Sequence, residues 1–161
     1  MVLSNLRIFQ RSQTVHRLEQ DKLISLLIPA RNEEASIAHS LDSLVSQAYQ
    51  RLEIIVLDDA SEDRTATIVQ EYAAVDNRVH LMQSRQLPDG WNGKQHACWQ
   101  LAQSAKGEYL LFLDADVRLS VDAVGRLLQH QRSCGSDLLS GFPRQETLTL
   151  GERLMIPLMY V

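Results

Sequence analysis

Residues 23–45 read LISLLIPARNEEASIAHSLDSLV and hold a strand signal followed by a helix signal. The run 23–28 is almost wholly apolar and closes at Pro29, as expected of a strand that is covered on both faces of a parallel sheet. The residues after it form one apolar helical stripe that begins after two glutamates, on Ile37, Leu41, Leu44, Val45 and Ala48. The stretch therefore predicts a βα unit.

The same alternation continues along the chain. Apolar runs predict further strands at 52–57, 79–82 and 109–113 and a short fifth strand at 138–140. Between them lie apolar helical stripes, which contain Ile68 and Val69, Ala97 and Leu101, and Val124 and Leu128. Ser61 is placed to cap the first of these helices. Strands that alternate with helices of this length predict an α/β fold with a mainly parallel sheet flanked by helices.

The composition is that of a soluble globular protein of about one domain: 161 residues, of which 45% are apolar and 22% charged. The two cysteines, Cys98 and Cys134, form no CxxC pair, so we expect reduced thiols in the cytoplasm and neither a zinc site nor a disulfide. The formal net charge of -4 provides no broad cationic surface for nucleic acid, so a phosphate ligand would have to be bound locally.

We divide the chain into a peripheral N-terminal segment, residues 1–22, and one domain, residues 23–161. The segment has no continuous apolar run, which excludes a secretory signal peptide. No stretch reaches the ~20 apolar residues of a membrane span, but residues 154–161 are uncharged and apolar. This apolar end predicts a domain that is incomplete at its C-terminus, and either membrane proximity or a buried helix explains it.

Acidic residues follow the predicted strands at the edge where ligands bind in open α/β sheets. Asp114 and Asp116 lie two apart, so on an extended chain both carboxylates face one side, and the small Ala115 between them lets a ligand approach. Such oxygen donors suit Mg²⁺ or Mn²⁺. The alternative is that Asp114 ends the strand while Asp116 caps the following turn.

Two other strand ends allow a functional and a structural interpretation. The segment from Asp58 to Ser61 could be only a turn and helix cap, in which Ser61 and Asp63 bond to free backbone N–H groups. One of the two aspartates suffices for that, and the other could accept a hydrogen bond from a nucleobase. Arg31-Asn32-Glu33 could face the same ligand, or form a solvated turn in which Glu33 interacts with the helix dipole.

The loop 90–94, GWNGK, has glycines on both sides and enters a predicted helix. Backbone amides, the helix dipole and Lys94 could together bind a diphosphate there, although the P-loop pattern is absent. Alternatively Lys94 is an ordinary solvated lysine. Trp91 is placed either to pack or to touch a ligand, and we assign no role to His96.

Four motifs stand in a recognisable order: LLIPARNEE at 26–34, VLDDASEDRT at 56–65, GWNGKQHA at 90–97 and LFLDADV at 111–117. Together they resemble family 2 glycosyltransferases, which have the Rossmann-like GT-A fold. GWNGK before the acidic triplet and GERLMIP after it are similar to bacterial members associated with hopanoids or carotenoids. The likeness covers about residues 23–161.

The resemblance implies a nucleotide-sugar donor, usually a UDP-sugar, and a divalent cation. Pro29, Arg31 and Glu33 match the family's segment along the nucleoside, and Asp59 matches the aspartate that recognises uracil. Asp114 matches the acidic residue nearer the ribose and sugar, Asp116 the metal ligand, and Lys94 a basic residue near the diphosphate. The expected donor site comprises Pro29, Arg31, Glu33, Asp59, Lys94, Asp114 and Ala115, and the expected metal ligands are Asp116 and Asp114.

The family's general base, an aspartate in an xED-like motif, and its QxxRW-like segment lie well beyond the acidic triplet. Only 45 residues follow Asp116, and neither Glu146 nor Glu152 precedes an aspartate. The resemblance therefore implies a general base beyond Val161. We predict an inverting transferase whose donor- and metal-binding half is this chain, with weak or no transfer by the chain itself. A lipid-like or polyprenoid acceptor would place it at the inner face of the membrane.

Two alternatives belong to other functional classes. The chain could be a truncated nucleotide-sugar-binding module without catalysis. Less consistent with the sequence is a haloacid-dehalogenase-type phosphohydrolase, whose nucleophile motif residues 114–117 also resemble. In that class the motif lies near the start of the catalytic domain, whereas here about 110 residues precede it.

Overall fold

The computed structural model describes residues 21–141, which form a parallel sheet of four strands in the order β3-β2-β1-β4. The strands are β1 (Ile24–Ala30), β2 (Leu52–Asp58), β3 (Val79–Gln83) and β4 (Tyr109–Phe112). Every pairing between neighbours is parallel. The first four predicted strands are confirmed with small shifts at their ends, and the predicted α/β class is confirmed with them.

Helices cover both faces of the sheet: α1 (Ile37–Val45), α2 (Thr65–Val75), α3 (Gly93–Ser104) and α4 (Ala123–Cys134). On one face α1, α2 and α4 pack against the even-numbered side chains of β1, such as Leu26 and Ile28. On the other face Ala97 and Leu101 of α3 pack against Leu27, Ile55 and Leu57. Coverage on both sides explains why β1 and β2 are almost continuously apolar.

Pro29 sits in the central strand β1, where a residue without an N–H usually breaks the ladder. The carbonyl of Leu27 accepts a hydrogen bond from the N–H of Leu113, so Leu27 bonds toward β4. Alternate residues of a parallel strand bond to opposite neighbours, and Pro29 therefore also faces β4. Because β4 has already ended at Phe112, no ladder bond is lost there.

At the other end of the sheet, where the strands begin, a buried carboxylate holds the backbone in place. Glu53 accepts hydrogen bonds from the hydroxyl of Ser25 and from the backbone N–H groups of Lys106 and Gly107. Gly107 approaches β1 so closely that a β-carbon there would lie 2.5 Å from Oγ of Ser25 and 2.6 Å from its backbone nitrogen. These contacts set the start of β4 and thereby the position of the residues that follow it.

Two local predictions are wrong. Residues 138–140 form no strand, and Leu138 is 84% exposed, because no neighbouring strand within the described residues pairs with them. Ser61 does not cap α2, since its Oγ accepts the N–H of Asn32 instead, and Asp63 bonds to the N–H of Thr65. The predictions made for the segment 1–20, for Glu146 and Glu152, and for the apolar end 154–161 lie outside the described residues.

Candidate functional site

The sheet order reverses between β1 and β4, because β2 and β3 continue on one side of β1 and β4 lies on the other. In open α/β sheets, ligands bind beyond the carboxyl ends of the strands at such a switch point. A small pocket of about 130 Å³ occurs at this place. It is lined by Pro29, Lys94, Cys98, Phe112, Leu113 and Asp114.

Lys94 bridges the start of α3 and the end of β4. Its Nζ lies 2.6 Å from Oδ1 of Asp114, and the two side chains are 65% and 60% exposed. The hydrogen bond to Asp114 raises the pKa of Lys94 against the opposing effect of burial, with a smaller contribution from the charge of Asp116. Exposed pairs of this kind contribute only about 0–1 kcal/mol, so the contact can be exchanged for another.

Asp59 lies at the same helix start. Its Oδ2 is 3.4 Å from the position that a β-carbon on Gly93 would occupy. Gly93 and Lys94 are consecutive, so their α-carbons are about 3.8 Å apart. Asp59 from the β2 end therefore lies beside the first residue of α3, and Asp114 from the β4 end is reached by the side chain of the second residue, Lys94.

The N-terminus of α3 supplies a partial positive charge to this place. Asn92 is its N-cap, and the side chain of Asn92 accepts the N–H of Lys94 at 3.0 Å. The cap fixes the backbone of residues 92–94 while the Lys94 side chain stays exposed. A helix start with free N–H groups and a lysine can bind a phosphate group.

The acidic triplet differs from its predicted geometry. Asp114 and Asp116 lie in a turn closed by the N–H of Val117 on the carbonyl of Asp114, at 3.1 Å, and not on an extended strand. Ala115 is only 4% exposed and packs with Val124 and Leu128 in the core. Its side chain thus anchors the turn below two exposed carboxylates, and any donor contact at Ala115 would have to use its backbone.

The two carboxylates fit a divalent ion that is shared with a substrate. No cluster of three or more histidine, cysteine, aspartate or glutamate side chains forms a metal site within residues 21–141. Mg²⁺ is typically bound through one or two carboxylates together with waters and phosphate oxygens. Exposed Asp114 and Asp116 beside a helix start match that arrangement, and they do not match a closed protein cage.

The loops after β1 and β2 are clasped together. Asn32 donates its N–H to Oγ of Ser61 and accepts the N–H of Glu62, both across the two loops. Asp63 accepts the N–H of Glu34 in the same way. Both loops contain a residue in the left-handed region, Asn32 and Ala60, each with φ of 55°. This loop clasp was not predicted, and its sequence signal is the set of side-chain acceptors in 61–65.

The clasp is charge-assisted at Asp63. Burial opposes its ionisation, but hydrogen bonds from Thr65 and from the N–H of Glu34 hold the pKa of Asp63 below its usual range. Thr65 in turn accepts the N–H of Glu33 at 2.8 Å. The loop that carries Arg31 is thereby fixed to the loop that carries Asp59.

The remaining predicted residues are placed differently. Pro29 lines the pocket, and Arg31 is exposed on the clasped loop. The carboxylate of Glu33 accepts the hydroxyl of Ser36, the residue before α1, at 2.6 Å. Its contact with a donor stays a prediction.

The structure separates the two neighbouring aspartates. Asp58 is 3% exposed, and its Oδ1 is without a hydrogen-bond partner among the described residues. Asp59 is half-buried and faces Gly93. Consecutive residues of a strand point to opposite faces, which is why only one of the pair reaches the α3 side.

An aromatic cluster supports the loop before α3. The ring of Trp91 lies 5.5 Å from that of His96 and 5.8 Å from that of Trp99, while His96 and Trp99 stack at 5.9 Å. His96 is buried, and its Nδ1 lies 3.2 Å from Nε2 of Gln100. Trp91 packs against these rings while 43% of it stays exposed, and His96, to which the sequence assigned no role, is a packing residue for this loop.

The family model described as glycosyl transferase family 2 matches residues 25–153. The chain belongs to glycosyl transferase family 2. The match runs through the motif around Asp114, which leaves no ground for interpreting 114–117 as a phosphohydrolase nucleophile motif.

Two curated relatives are named 4,4'-diaponeurosporenoate glycosyltransferase. The protein from Staphylococcus haemolyticus (strain JCSC1435) is 42% identical over 102 residues, which cover 63% of this chain and 26% of the relative. The protein from Staphylococcus aureus (strain USA300) is 38% identical over 125 residues, which cover 76% of this chain and 32% of the relative. The chain thus spans about a quarter to a third of the length of these glycosyltransferases.

Several solved structures share the fold. The mannosyltransferase PcManGT from Pyrobaculum calidifontis, in complex with GDP-Man and Mn²⁺, has a TM-score of 0.60 at 22% identity, covering 81% of this chain and 39% of its own. S. aureus TarS 1-349 in complex with UDP-GlcNAc has a TM-score of 0.57 at 25% identity, with 79% and 37% covered. Glucosyl-3-phosphoglycerate synthase from Mycobacterium tuberculosis, with Mn²⁺, UDP and glucosyl-3-phosphoglycerate, has a TM-score of 0.52 at 25% identity, with 63% and 37% covered.

Proposed function

We propose that this chain binds a UDP-sugar together with a divalent cation, as the donor half of an inverting glycosyltransferase. One observation carries the proposal: of two consecutive residues at the start of α3, Gly93 lies beside Asp59 and Lys94 forms an ion pair with Asp114, so the start of α3 lies between two different strand ends. In this arrangement a nucleoside contact, a helix N-terminus and an acidic turn surround the place where we propose that one diphosphate binds.

Asp59 recognises the base in this proposal. An ionised carboxylate only accepts hydrogen bonds, so it matches the N3–H of uracil and repels the lone pair at N3 of cytosine. Pro29 and Arg31 lie beside it along the nucleoside. Supporting this assignment, TarS and glucosyl-3-phosphoglycerate synthase, the similar structures at 25% identity, were solved with UDP-GlcNAc and with UDP.

Asp116, with Asp114, would hold Mg²⁺ or Mn²⁺ against the diphosphate oxygens. Bound there, the ion supplies Lewis-acid stabilisation of the negative charge that develops on the leaving diphosphate. Lys94 and the α3 N-terminus bind and orient the same diphosphate from the other side. The Mn²⁺ in the similar glucosyl-3-phosphoglycerate synthase complex supports a divalent ion of this class.

The acceptor in this proposal is apolar and lipid-like, of the carotenoid type that the names of the staphylococcal relatives indicate. Such an acceptor partitions into membranes, so we place the reaction at the cytoplasmic membrane surface, where nucleotide sugars are available. Within residues 21–141, no helix is long and apolar enough to cross a membrane. The general base stays a prediction of the family resemblance.

Calorimetric titration of UDP and CDP, each with and without Mn²⁺, tests the proposal. We expect Mn²⁺-dependent binding of UDP and at least about tenfold weaker binding of CDP, because cytosine leaves a carboxylate facing a lone pair. Asp59→Asn should reduce this discrimination, since an amide can donate to cytosine. Equal binding of UDP and CDP, or UDP binding that ignores Mn²⁺, would contradict the proposed site. A sugar-transfer assay on the same protein then separates donor binding from catalysis.

A further inference from the structure

The Lys94–Asp114 contact involves the carboxylate that the proposed metal ion would also use. Nζ of Lys94 lies 2.6 Å from Oδ1 of Asp114, and the charge of Asp116 acts on the same ammonium. Building on the proposed function, we propose that Lys94 and the divalent ion compete for Asp114. Lys94 then moves to the diphosphate when the nucleotide sugar binds with its ion.

Distance and charge both disfavour binding of the Lys94 ammonium and the divalent ion to Asp114 at the same time. A Mg²⁺ ion would lie at about 2.0–2.1 Å from a carboxylate oxygen, within the space that the ammonium group now approaches. Two positive centres on one carboxylate repel each other, and the turn offers only Asp114 and Asp116 to neutralise them. The ammonium therefore lowers the affinity of Asp114 for an ion that arrives alone.

Lys94 has the freedom that the exchange requires. The cap bond from Asn92 fixes its backbone N–H, whereas the side chain is 65% exposed and ends a flexible four-carbon stem. An exposed ion pair is weak, so releasing it costs little. A diphosphate at the start of α3 offers the ammonium a stronger, doubly charged partner, which lets the ion take Asp114.

The consequence is coupled binding. Without nucleotide, Lys94 suppresses metal binding at the acidic turn. With nucleotide, Lys94 contributes to the diphosphate and no longer opposes the ion. Removing the ammonium should thus have opposite effects on the two ligands, which a lysine that only attracts phosphate would not produce.

The test measures Mn²⁺ binding by electron paramagnetic resonance, first alone and then with saturating UDP, for wild type and Lys94→Met. We expect Lys94→Met to bind Mn²⁺ alone about two- to fivefold more tightly, the range that an exposed ion pair supports, and to bind UDP more weakly in the presence of Mn²⁺. Lys94→Arg keeps the charge and should not tighten Mn²⁺ binding.

Lys22→Met is the matched control. Lys22 forms an ion pair with Glu108 at 2.7 Å, at the opposite end of the sheet, with the two side chains 36% and 56% exposed. This variant changes the net charge by the same amount and should leave both affinities unchanged. Unchanged or weaker Mn²⁺ binding by Lys94→Met, equal tightening by Lys22→Met, or no Mn²⁺ binding by Lys94→Met overturns the competition. Failure of wild type to bind UDP with Mn²⁺ would instead overturn the proposed function, while the Mn²⁺ titration alone still decides the competition.

Discussion

A carboxylate oxygen of Asp59, after β2, lies 3.4 Å from where a β-carbon on Gly93 would stand. The absence of a side chain at Gly93 thus keeps one face of Asp59 open at the start of α3. Gly93 is the first residue of α3. The distance between Asp59 and the N-terminus of α3 therefore determines how far the proposed nucleoside contact lies from the proposed diphosphate contact.

Gly93→Val should weaken UDP binding. The β-branched side chain extends past the 3.4 Å position and forces Asp59 to shift, which we expect to cost about 1 kcal/mol, or roughly fivefold in affinity. Gly93→Ala places only a β-carbon at ordinary contact distance and serves as the matched control. Calorimetry with UDP and Mn²⁺ measures both, and equal affinities for the two variants would show that Asp59 does not need this space.

Asp116→Ala and Asp59→Ala should separate metal from base recognition. Loss of Asp116 removes a proposed metal ligand, so the stimulation of UDP binding by Mn²⁺ should disappear. Loss of Asp59 removes the acceptor for uracil, so the preference for UDP over CDP should fall while Mn²⁺ affinity stays near the wild-type value. Titrations of Mn²⁺ and of both nucleotides give the answer, and equal metal loss in the two variants would mean that these roles are wrong.

Asn32→Ala should destabilise the loop clasp. The variant loses the side-chain oxygen that accepts the N–H of Glu62. It also leaves an alanine in the left-handed region, at φ of 55°, with no side-chain hydrogen bond to offset the strain. We expect a loss of about 1–3 kcal/mol in the free energy of unfolding, measured with urea. Asn32→Gly loses the same hydrogen bond without the left-handed strain and should be about 1 kcal/mol more stable than Asn32→Ala. Similar values for the two variants would place the cost in the hydrogen bond alone.

Gly107→Ala should destabilise the fold, although it adds only one methyl group. Its β-carbon would stand 2.5 Å from Oγ and 2.6 Å from the backbone nitrogen of Ser25, so the turn before β4 must move and the hydrogen bonds to Glu53 must lengthen. We expect a loss of about 1–3 kcal/mol in unfolding free energy. Gly141→Ala meets nothing within 4 Å and is the control. A neutral Gly107→Ala would show that the strand start is not fixed by this contact.

Tyr72 should make stability fall in strong alkali. Burial, together with the hydrogen bond to Asp42, raises the pKa of Tyr72 to about 12 from 10.0. The unfolded state therefore loses this proton at lower pH than the folded state, so the contribution is complete below pH ~10 and is lost as the pH rises toward ~12. Urea titrations between these pH values should show a shallower decline for Tyr72→Phe. Asp42→Asn removes the charged acceptor and should also flatten the decline, and an unchanged slope in both would contradict the assignment.

Much of the fold was predictable because its signals are local. Strands such as 52–57 and helices such as the one through Ala97 and Leu101 follow from the spacing of apolar residues, which repeats over a few positions. The strand 138–140 failed on the same criterion, since a short apolar run becomes a strand only where a neighbour offers unpaired backbone groups. Propensity cannot supply that neighbour.

The sequence predicted the edge of the sheet that carries the candidate site better than it predicted the positions of the individual side chains there. Strand ends placed Asp59, Asp114 and Asp116 on one edge, and the structure brings Asp59 and Asp114 to one helix start. The geometry around Ala115 differed because a turn follows Phe112 earlier than the apolar pattern indicates. The hydrogen bond between the hydroxyl of Ser36 and the carboxylate of Glu33 has no periodic signal in the sequence, and the donor contact of Glu33 stays a prediction.

By itself, the sequence determined the alternation of strands and helices, the edge at which acidic residues collect, and the family. The tertiary structure decided how Lys94 pairs with Asp114 and how the loops of Asn32 and Ser61 clasp. The reason is range: periodicity acts between neighbours in the chain, whereas these contacts join residues 20 to 29 positions apart, whose meeting depends on the packed sheet.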